Sequence, residues 1–323
     1  MSVKRLYHNI FKSIWHLLRE TFLEFLDNNS FDRGAALAYY TVFALPPILI
    51  IMINSVGALF GKDAVSGEIY YEIKELIGSQ GAYEVQKMVE NISRSGEITF
   101  TTLIGIITLL LAATGLFISM QDALNVIWGV KAKPRNHYFK MVLDRIMSFA
   151  MILSFTFILL VSLVAQAILA KLGNYLMKLL DQTAIILLQM FNEMISLAVV
   201  AFIFAMIFKF LPDVKIQWRD VWVGAIVTAL LFTLGRFLIG FYLGNSNYSN
   251  VYGAAGTVVI ILVWVFYSSQ ILFFGAVFTL VFSRKYGSNI YPSPYAVRVI
   301  RQEVEVGKTA VNAEPGKFEN SDN

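Results

Sequence analysis

The chain has 323 residues, of which 57% are apolar and only 15% charged, and its mean hydropathy of +0.63 indicates an integral membrane protein. This composition excludes soluble, disordered and collagen-like chains, and the lack of cysteine excludes disulfides, thiolate metal sites and cysteine nucleophiles. A formal charge of +4 does not by itself indicate nucleic-acid binding, because basic residues also collect on the cytoplasmic side of membrane proteins.

Residues 1–34 are predicted to form a cytoplasmic amphipathic helix. Apolar side chains recur at three- and four-residue steps from Val3 to Leu26, whereas Lys12 and Arg19 fall on the opposite face. Two interpretations fit this pattern equally. The helix lies in the inner headgroup layer of the membrane, or it packs beneath the helix bundle as a brace.

Six segments are long and apolar enough to cross the roughly 30 Å hydrocarbon core of a bilayer as helices. They lie at residues 35–60, 98–120, 146–170, 184–208, 221–243 and 254–282. Together they predict an all-α membrane domain over residues 35–285 with six transmembrane helices.

The basic residues predict the orientation of these helices. The segments on the side of both termini contain 19 Lys and Arg residues, those on the other side contain six, and Arg236 alone lies inside a span. By the positive-inside rule, both termini are therefore expected in the cytoplasm.

Pro46 and Pro47 lie near the middle of the first predicted span. Proline removes a helical hydrogen bond and clashes with the preceding turn, so the helix is expected to kink or break there. Transporters use such breaks to line binding sites, although kinks without a ligand are also common in membrane helices. Both prolines are candidate residues of a substrate cavity.

The outer loop of residues 61–97 contains seven acidic and four basic residues, and a Gly-Ser-Gln-Gly run separates its two short apolar stripes. The stripes predict two short helices. The loop is either a cap over an outward-facing cavity or a solvated acidic hairpin without a substrate role.

Glu193 and Arg236 are the two ionisable residues placed clearly inside predicted spans, where a charge costs about 2.5 to 3.5 kcal/mol on insertion scales. At 1.5 Å per residue they lie roughly 14 and 10 Å from the outer ends of adjacent antiparallel helices. We expect them to form an ion pair or to share a polar cavity. Such a pair is either purely structural or part of a site for an anionic headgroup.

The fifth and sixth spans are rich in glycine and alanine, which indicates close helix contact. Hydrogen-bonding side chains in and between these spans either face a cavity or bind neighbouring helices. The cavity candidates among them are Tyr248, Tyr252, Trp264, Ser268 and Gln270.

The segment 286–323 is predicted to be a disordered cytoplasmic tail. It turns polar and contains no apolar periodicity that could form a packed face.

No enzymatic activity, cofactor or metal is predicted. The three histidines fall in cytoplasmic segments without metal-ligand spacing. The chain also contains no HExxH, GxSxG, GxxxxGK[ST] or dinucleotide-binding motif.

Four sequence strings resemble the YihY/BrkB family of bacterial inner-membrane proteins. They are RGAALAYYTVFALPP at 33–47, QDALNVIWGV at 121–130, LPD at 211–213 followed by Trp218-Arg219, and YSNVYGAAG at 248–256. The resemblance covers roughly residues 15–285 and implies a place in the bacterial cytoplasmic membrane. Relatives often read Gly-Ala-Glu in the last span, whereas this chain has Val277 after Gly275 and Ala276.

The resemblance implies an activity only in broad terms. Family members carry virulence or serum-resistance labels, and some have been proposed to move lipids across the inner membrane. The older label ribonuclease BN is regarded as misapplied. Metal-dependent phosphodiester cleavage needs clustered ligands, and the cytoplasmic loops offer only scattered carboxylates, so the sequence argues against a nuclease.

We therefore expect a transporter or flippase for a lipid or other amphipathic anionic substrate, with membrane lipids as partners and no nucleic acid. The main alternative is a non-transporting membrane scaffold or partner subunit linked to envelope integrity or virulence. A polar vestibule that reaches the membrane midplane near Pro46, Glu193 and Arg236 would distinguish the transporter from the scaffold.

Overall fold

A computed structural model describes residues 3–44, 83, 86, 100–133, 182–244, 254–288 and 290–299. The helices are α1 (Val3–Asp27), α2 (30–44), α3 (Phe100–Ile127), α4 (Gln182–Phe210), α5 (Trp218–Gly244) and α6 (Ala254–Tyr286). The strands are β1 (Val130–Ala132), β2 (Val214–Lys215), β3 (Tyr291–Pro292) and β4 (Ala296–Arg298). The described part of the chain is therefore mainly helical.

Within the described ranges, three helices are long and apolar enough to cross a membrane. Their apolar stretches are Glu193–Phe210 in α4, Trp218–Ile239 in α5 and Val258–Tyr286 in α6. They coincide with the last three predicted spans. The predicted span 146–170 and residues 45–60 of the first predicted span lie outside the described residues, so six crossings stay a prediction.

The core lies where α5 packs between α4 and α6. Phe204 of α4 contacts Phe232 of α5, and Phe232 contacts Trp264 of α6 at ring-centroid distances of 5.7 and 6.3 Å. Toward the other end of these helices, Phe208 and Phe273 are fully buried. Such aromatic contacts hold the three helices side by side.

A sharp elbow joins α1 to α2 at Asn28 and Asn29. Asn29 has a φ of 51°, a left-handed conformation that asparagine tolerates better than most residues. The Asn28 amide donates to the Glu24 carbonyl at 2.8 Å, and the Ser30 hydroxyl donates to the Phe25 carbonyl at 2.9 Å. These bonds satisfy carbonyls at the end of α1 and allow the chain to start a new helix in another direction.

One face of α1 packs along α6, as the brace interpretation requires. Phe25 contacts Phe274 at 5.8 Å between ring centroids, and two ion pairs join polar residues farther along the same contact. The opposite face exposes large apolar side chains, namely Ile14, Trp15, Leu18, Phe22, Leu23 and Leu26. How this exposed face lies relative to a bilayer stays a prediction.

The four short strands form two small antiparallel sheets at one end of the bundle, which we call the strand end. β1 pairs with β4, with Val130 opposite Arg298, and β2 pairs with β3, with Val214 opposite Pro292. Residues 291–292 and 296–298 thus belong to two sheets, although the sequence predicts a disordered tail from residue 286. The strands are two or three residues long and pair with distant segments, so they leave no local periodicity to detect.

Candidate functional site

Two adjoining cavities lie around Arg33 and Asp122, which contribute to both. The strand-end cavity, of about 750 Å³, lies between the elbow, the end of α3, β1 and the end of α6. The α2–α3 cavity, of about 600 Å³, lies between the two helices that name it. Both volumes fall in the range of small-molecule sites, which is about 300–1,000 Å³.

The elbow positions Arg33 between the two cavities. The Arg33 Nε donates to the Asn28 carbonyl at 3.3 Å, so the guanidinium is held close to the turn that redirects the chain. Asp32 and Tyr40 share the cavity-lining face of α2 with Arg33. Asp122 faces them from α3.

A close helix contact forms one wall of the α2–α3 cavity. The Tyr40 ring lies against Gly115, and a Cβ on Gly115 would approach two ring carbons to 2.9 Å. Any larger residue at position 115 would therefore force the Tyr40 ring or the helix backbone to move. Ile118 and Ser119, on the next turn of α3, continue the same wall.

Hydrogen bonds between distant segments fix the wall of the strand-end cavity. The Asn125 amide donates to an Asp213 carboxylate oxygen at 2.9 Å, and the Asp213 backbone N–H donates to the Asn125 side-chain oxygen at 2.8 Å. The Trp128 indole donates to the Ala276 carbonyl at 3.1 Å. Gly129 then turns the chain into β1 with a φ of 65°, which favours glycine. These contacts tie the end of α3 to the α4–α5 connection and to α6.

The strand-end cavity is charged. Its lining contains three cationic side chains, Arg33, Lys131 and Arg284, and two carboxylates, Glu24 and Asp122. Glu24 and Arg284 form an ion pair of 2.8 Å in which the arginine side chain is 48% exposed. Solvent and solutes can therefore reach the cationic groups.

The residues predicted from the sequence as cavity candidates do not line these two cavities. Pro46, Pro47, Tyr248 and Tyr252 lie outside the described residues. Glu193, Arg236, Trp264, Ser268 and Gln270 are described, and none of the five contributes to either cavity.

Glu193 and Arg236 make no ion pair with each other in the structure. The ion pairs Arg284–Glu24 and Lys285–Glu20 lie elsewhere, at the contact between α1 and α6. Glu193 is exposed, and the neighbouring Met194 is 68% exposed, so this part of α4 is turned outward. The half-buried Arg236 lies on α5, and outward orientation of the α4 residue explains why the two side chains do not meet.

Gln270 has an unusual environment among the described candidates. Both polar atoms of its amide are buried, and neither has a hydrogen-bond partner among the described residues. The amide lies against Gly34 of α2, in the space that a Cβ on this glycine would occupy. Buried polar groups without partners are rare and costly, so this contact between α2 and α6 needs an explanation beyond packing.

Arg33, Lys131, Arg284 and Glu24 are not among the site residues predicted from the sequence. A charge is conspicuous in the sequence when it lies inside a span, and these four lie outside the apolar centres of the helices. Two signals were available in the sequence. Arg33 opens the first family-like string, and Asp122 lies in the second.

No metal centre was found in the part of the chain that the structure describes. There, no three His, Cys, Asp or Glu side chains are grouped so that they could hold an ion.

Comparisons with known proteins match most of the chain. A family model described as "Virulence factor BrkB" matches residues 21–298. A UPF0761 membrane protein of Teredinibacter turnerae is 25% identical over 264 residues, which are 80% of this chain and 58% of the relative. A UPF0761 membrane protein of Rhodospirillum centenum is 29% identical over 271 residues, which are 81% of this chain and 56% of the relative.

The chain thus spans less than two thirds of the length of these relatives. No solved structure matches it.

Proposed function

The chain belongs to the BrkB family of membrane proteins, and on that premise we propose that it is a transporter or flippase for a lipid or other amphipathic anionic substrate. It acts in the bacterial cytoplasmic membrane with both termini in the cytoplasm. Six crossing helices carry the substrate path.

The observation that carries this proposal is the charged strand-end cavity beside apolar helices. Arg33, Lys131 and Arg284 offer an anionic headgroup several charged donors within one cavity of about 750 Å³. Arginine presents paired N–H groups that match the oxygens of phosphate or carboxylate. Lysine adds a mobile point charge.

Exposed aromatic side chains next to the cavities can contact the apolar part of the substrate. Along α2, Tyr39 and Phe43 are 59% and 52% exposed and contact each other, and the neighbouring Tyr40 lines the α2–α3 cavity. Acyl chains in the bilayer contact such side chains while the headgroup stays in a polar cavity. An amphipathic molecule thus fits this region better than a fully soluble ion.

In this proposal the strand end lies at the inner membrane surface, and the exposed apolar face of α1 supports this position. Its apolar residues, which include Trp15 and Phe22, enter the headgroup layer, and Lys12 and Arg19 contact anionic lipids. The other face remains packed on α6. The brace and headgroup interpretations of α1 therefore apply to two different faces.

A scaffold without transport activity is the second candidate. The contact between α5 and α6 favours it, because small residues such as Gly224 and Gly275 bring these helices together with no space for a substrate. The scaffold would link the protein to envelope integrity or virulence through a partner.

Reconstitution in vesicles tests the proposal. The protein is inserted into vesicles that contain a fluorescent anionic phospholipid, and its transfer between leaflets is measured with a membrane-impermeant quencher. Lys131→Gln is expected to lower the rate about tenfold, because it removes one charge-assisted contact to the headgroup. Arg219→Gln is the matched control, because Arg219 is exposed and lines neither cavity.

Wild-type protein that transfers lipid no faster than protein-free vesicles contradicts the transporter proposal and leaves the scaffold. Equal rates for Lys131→Gln and Arg219→Gln contradict the role of the strand-end cavity.

A further inference from the structure

We propose that Glu24 is a built-in competitor for the anion site of the strand-end cavity. Its carboxylate occupies Arg284 when the cavity is empty, and a phosphate-bearing headgroup binds by displacing it. This inference rests on the proposed function, because it assigns the headgroup class and the first binding step of the same site.

The geometry places both partners in the cavity itself. Glu24 Oε1 lies 2.8 Å from Arg284 Nη1, which is the distance of a charge-assisted hydrogen bond. Glu24 belongs to the last turn of α1 and Arg284 to the last turn of α6, and both contribute to the lining. The pair therefore closes the cavity at the contact between these two helices.

The competing ligand has an advantage over the carboxylate. Arg284 donates one N–H to the Glu24 carboxylate, and its side chain is 48% exposed. Its other N–H groups are therefore accessible to an incoming anion. A phosphate monoester carries more charge than a carboxylate and has three acceptor oxygens. Arg33, Lys131 and Arg284 line the cavity together with two carboxylates, Glu24 and Asp122, so the lining has one more positive than negative charge.

Displacement of Glu24 does not detach α1. The Phe25–Phe274 contact and a second ion pair, Glu20–Lys285 at 3.2 Å, still hold the helix on α6. In this second pair the acidic residue lies one turn before Glu24 on α1, and the basic residue directly follows Arg284 on α6. Neither of its members lines the cavity, so it provides a matched control.

Binding measurements on the full chain in a neutral detergent test the competition. Two probes separate the sources of the phosphate: dioctanoyl phosphatidic acid for a lipid headgroup and inorganic phosphate for a free anion. Glu24→Gln is expected to tighten binding by about twofold to fivefold, which corresponds to removal of an exposed ion pair. Glu20→Gln is expected to leave the affinity unchanged.

Arg284→Gln completes a double-mutant cycle. It is expected to weaken binding, and Glu24→Gln added to it should have no further effect, because the competition passes through this arginine. Arg284→Lys serves if the glutamine variant does not fold, and Lys285→Gln is the control for loss of a neighbouring cation.

The inference is overturned if Glu24→Gln and Glu20→Gln bind the probes with equal affinity. It is also overturned if Glu24→Gln tightens binding in the Arg284→Gln variant as much as it does in the wild type. The inference is also overturned if neither the wild type nor Glu24→Gln binds either probe. Tightening with phosphatidic acid alone assigns a lipid headgroup, and tightening with both probes assigns the phosphate group itself. These results are separate from the proposed function, which fails when wild-type vesicles show no lipid transfer.

Discussion

The side chain of Thr279 on α6 fills the space in which a Cβ on Gly224 of α5 would lie. The same relationship recurs one turn away, where Thr228 of α5 fills the corresponding space at Gly275 of α6. Each threonine hydroxyl donates to the carbonyl of the glycine four residues earlier in its own helix, at 2.7 Å. The strings GAIVT and GAVFT thus pair as antiparallel equivalents, and α5 and α6 approach closely because each supplies a glycine to the other's threonine.

Gly224→Ala is expected to lower the stability of the protein by about 1–3 kcal/mol, because the new methyl group would lie 2.8 Å from the Thr279 Cβ in a packed contact. Helix propensity alone predicts the opposite sign, since alanine is favoured over glycine by about 1 kcal/mol. Thermal unfolding in detergent measures the change. Ile226→Ala, at a position that is 47% exposed, is the control and should change stability much less. A more stable Gly224→Ala variant would contradict the close-contact interpretation.

Gln270→Met is expected to raise stability by about 1–3 kcal/mol, because it removes two buried polar atoms that have no hydrogen-bond partner and keeps a flexible side chain of similar length. Ser269→Ala is the comparison, since the Ser269 hydroxyl already donates to the Val265 carbonyl at 2.7 Å. Thermal unfolding of both variants distinguishes the two cases. If Gln270→Met is less stable than the wild type, the amide must have a partner that the protein's own described residues do not supply.

The strand end depends on Asp220, a carboxylate that is only 1% exposed at the start of α5. One of its oxygens accepts from the Ser283 hydroxyl at 3.0 Å and from the Ser288 N–H and hydroxyl at 2.9 Å. Asp220→Ala is expected to cost at least about 2 kcal/mol, because these charge-assisted bonds and a favourable interaction with the helix N-terminus are lost. Residues 290–299 should then become accessible to limited proteolysis in detergent.

Ser283→Ala is the control, because it removes only one of the hydrogen bonds to Asp220. It should make residues 290–299 far less accessible to the protease than Asp220→Ala does. Equal protection of residues 290–299 in Asp220→Ala and the wild type would show that the two small sheets hold without this carboxylate.

The long apolar helices could be predicted because a run of about 20 apolar residues is a signal that needs no tertiary context. This is why α4, α5 and α6 coincide with predicted spans. The elbow at Asn28 and Asn29 was harder to see, since two asparagines do not end a helix unless their side chains find carbonyls to bond, as Asn28 does. The apolar stripe ends at Leu26, and the predicted amphipathic helix 1–34 runs through this point without a break.

The candidate site could not be assembled from the sequence for a related reason. Glu24, Arg33, Lys131 and Arg284 come from four separate segments that meet only when α1 packs on α6 and β1 pairs with β4. Charges outside the spans carry no energetic penalty that would single them out. The pairing of Asn125 with Asp213, 88 residues apart, is likewise visible only in three dimensions.

The predicted orientation can be tested directly because the chain has no cysteine. Single cysteines at Ser79 and Ser249 are expected to react with an impermeant maleimide in intact cells, whereas cysteines at Ser2 and Ser321 are not. The reason is the 19-to-six distribution of basic residues between the two sides. Labelling after cell permeabilisation controls for buried positions. Reaction of the terminal cysteines in intact cells would reverse the orientation and place the strand end outside.

The final prediction concerns Glu193 and Arg236, which the sequence suggested as an ion pair and which form none with each other across the described ranges. Their effects on stability are therefore expected to add. Glu193→Leu, Arg236→Leu and the double variant form a cycle, and the coupling free energy should stay within about 0.5 kcal/mol, as for independent sites. A coupling above about 1 kcal/mol for Glu193 and Arg236 would mean that the two side chains meet, and the expected independence of the two sites would then be wrong.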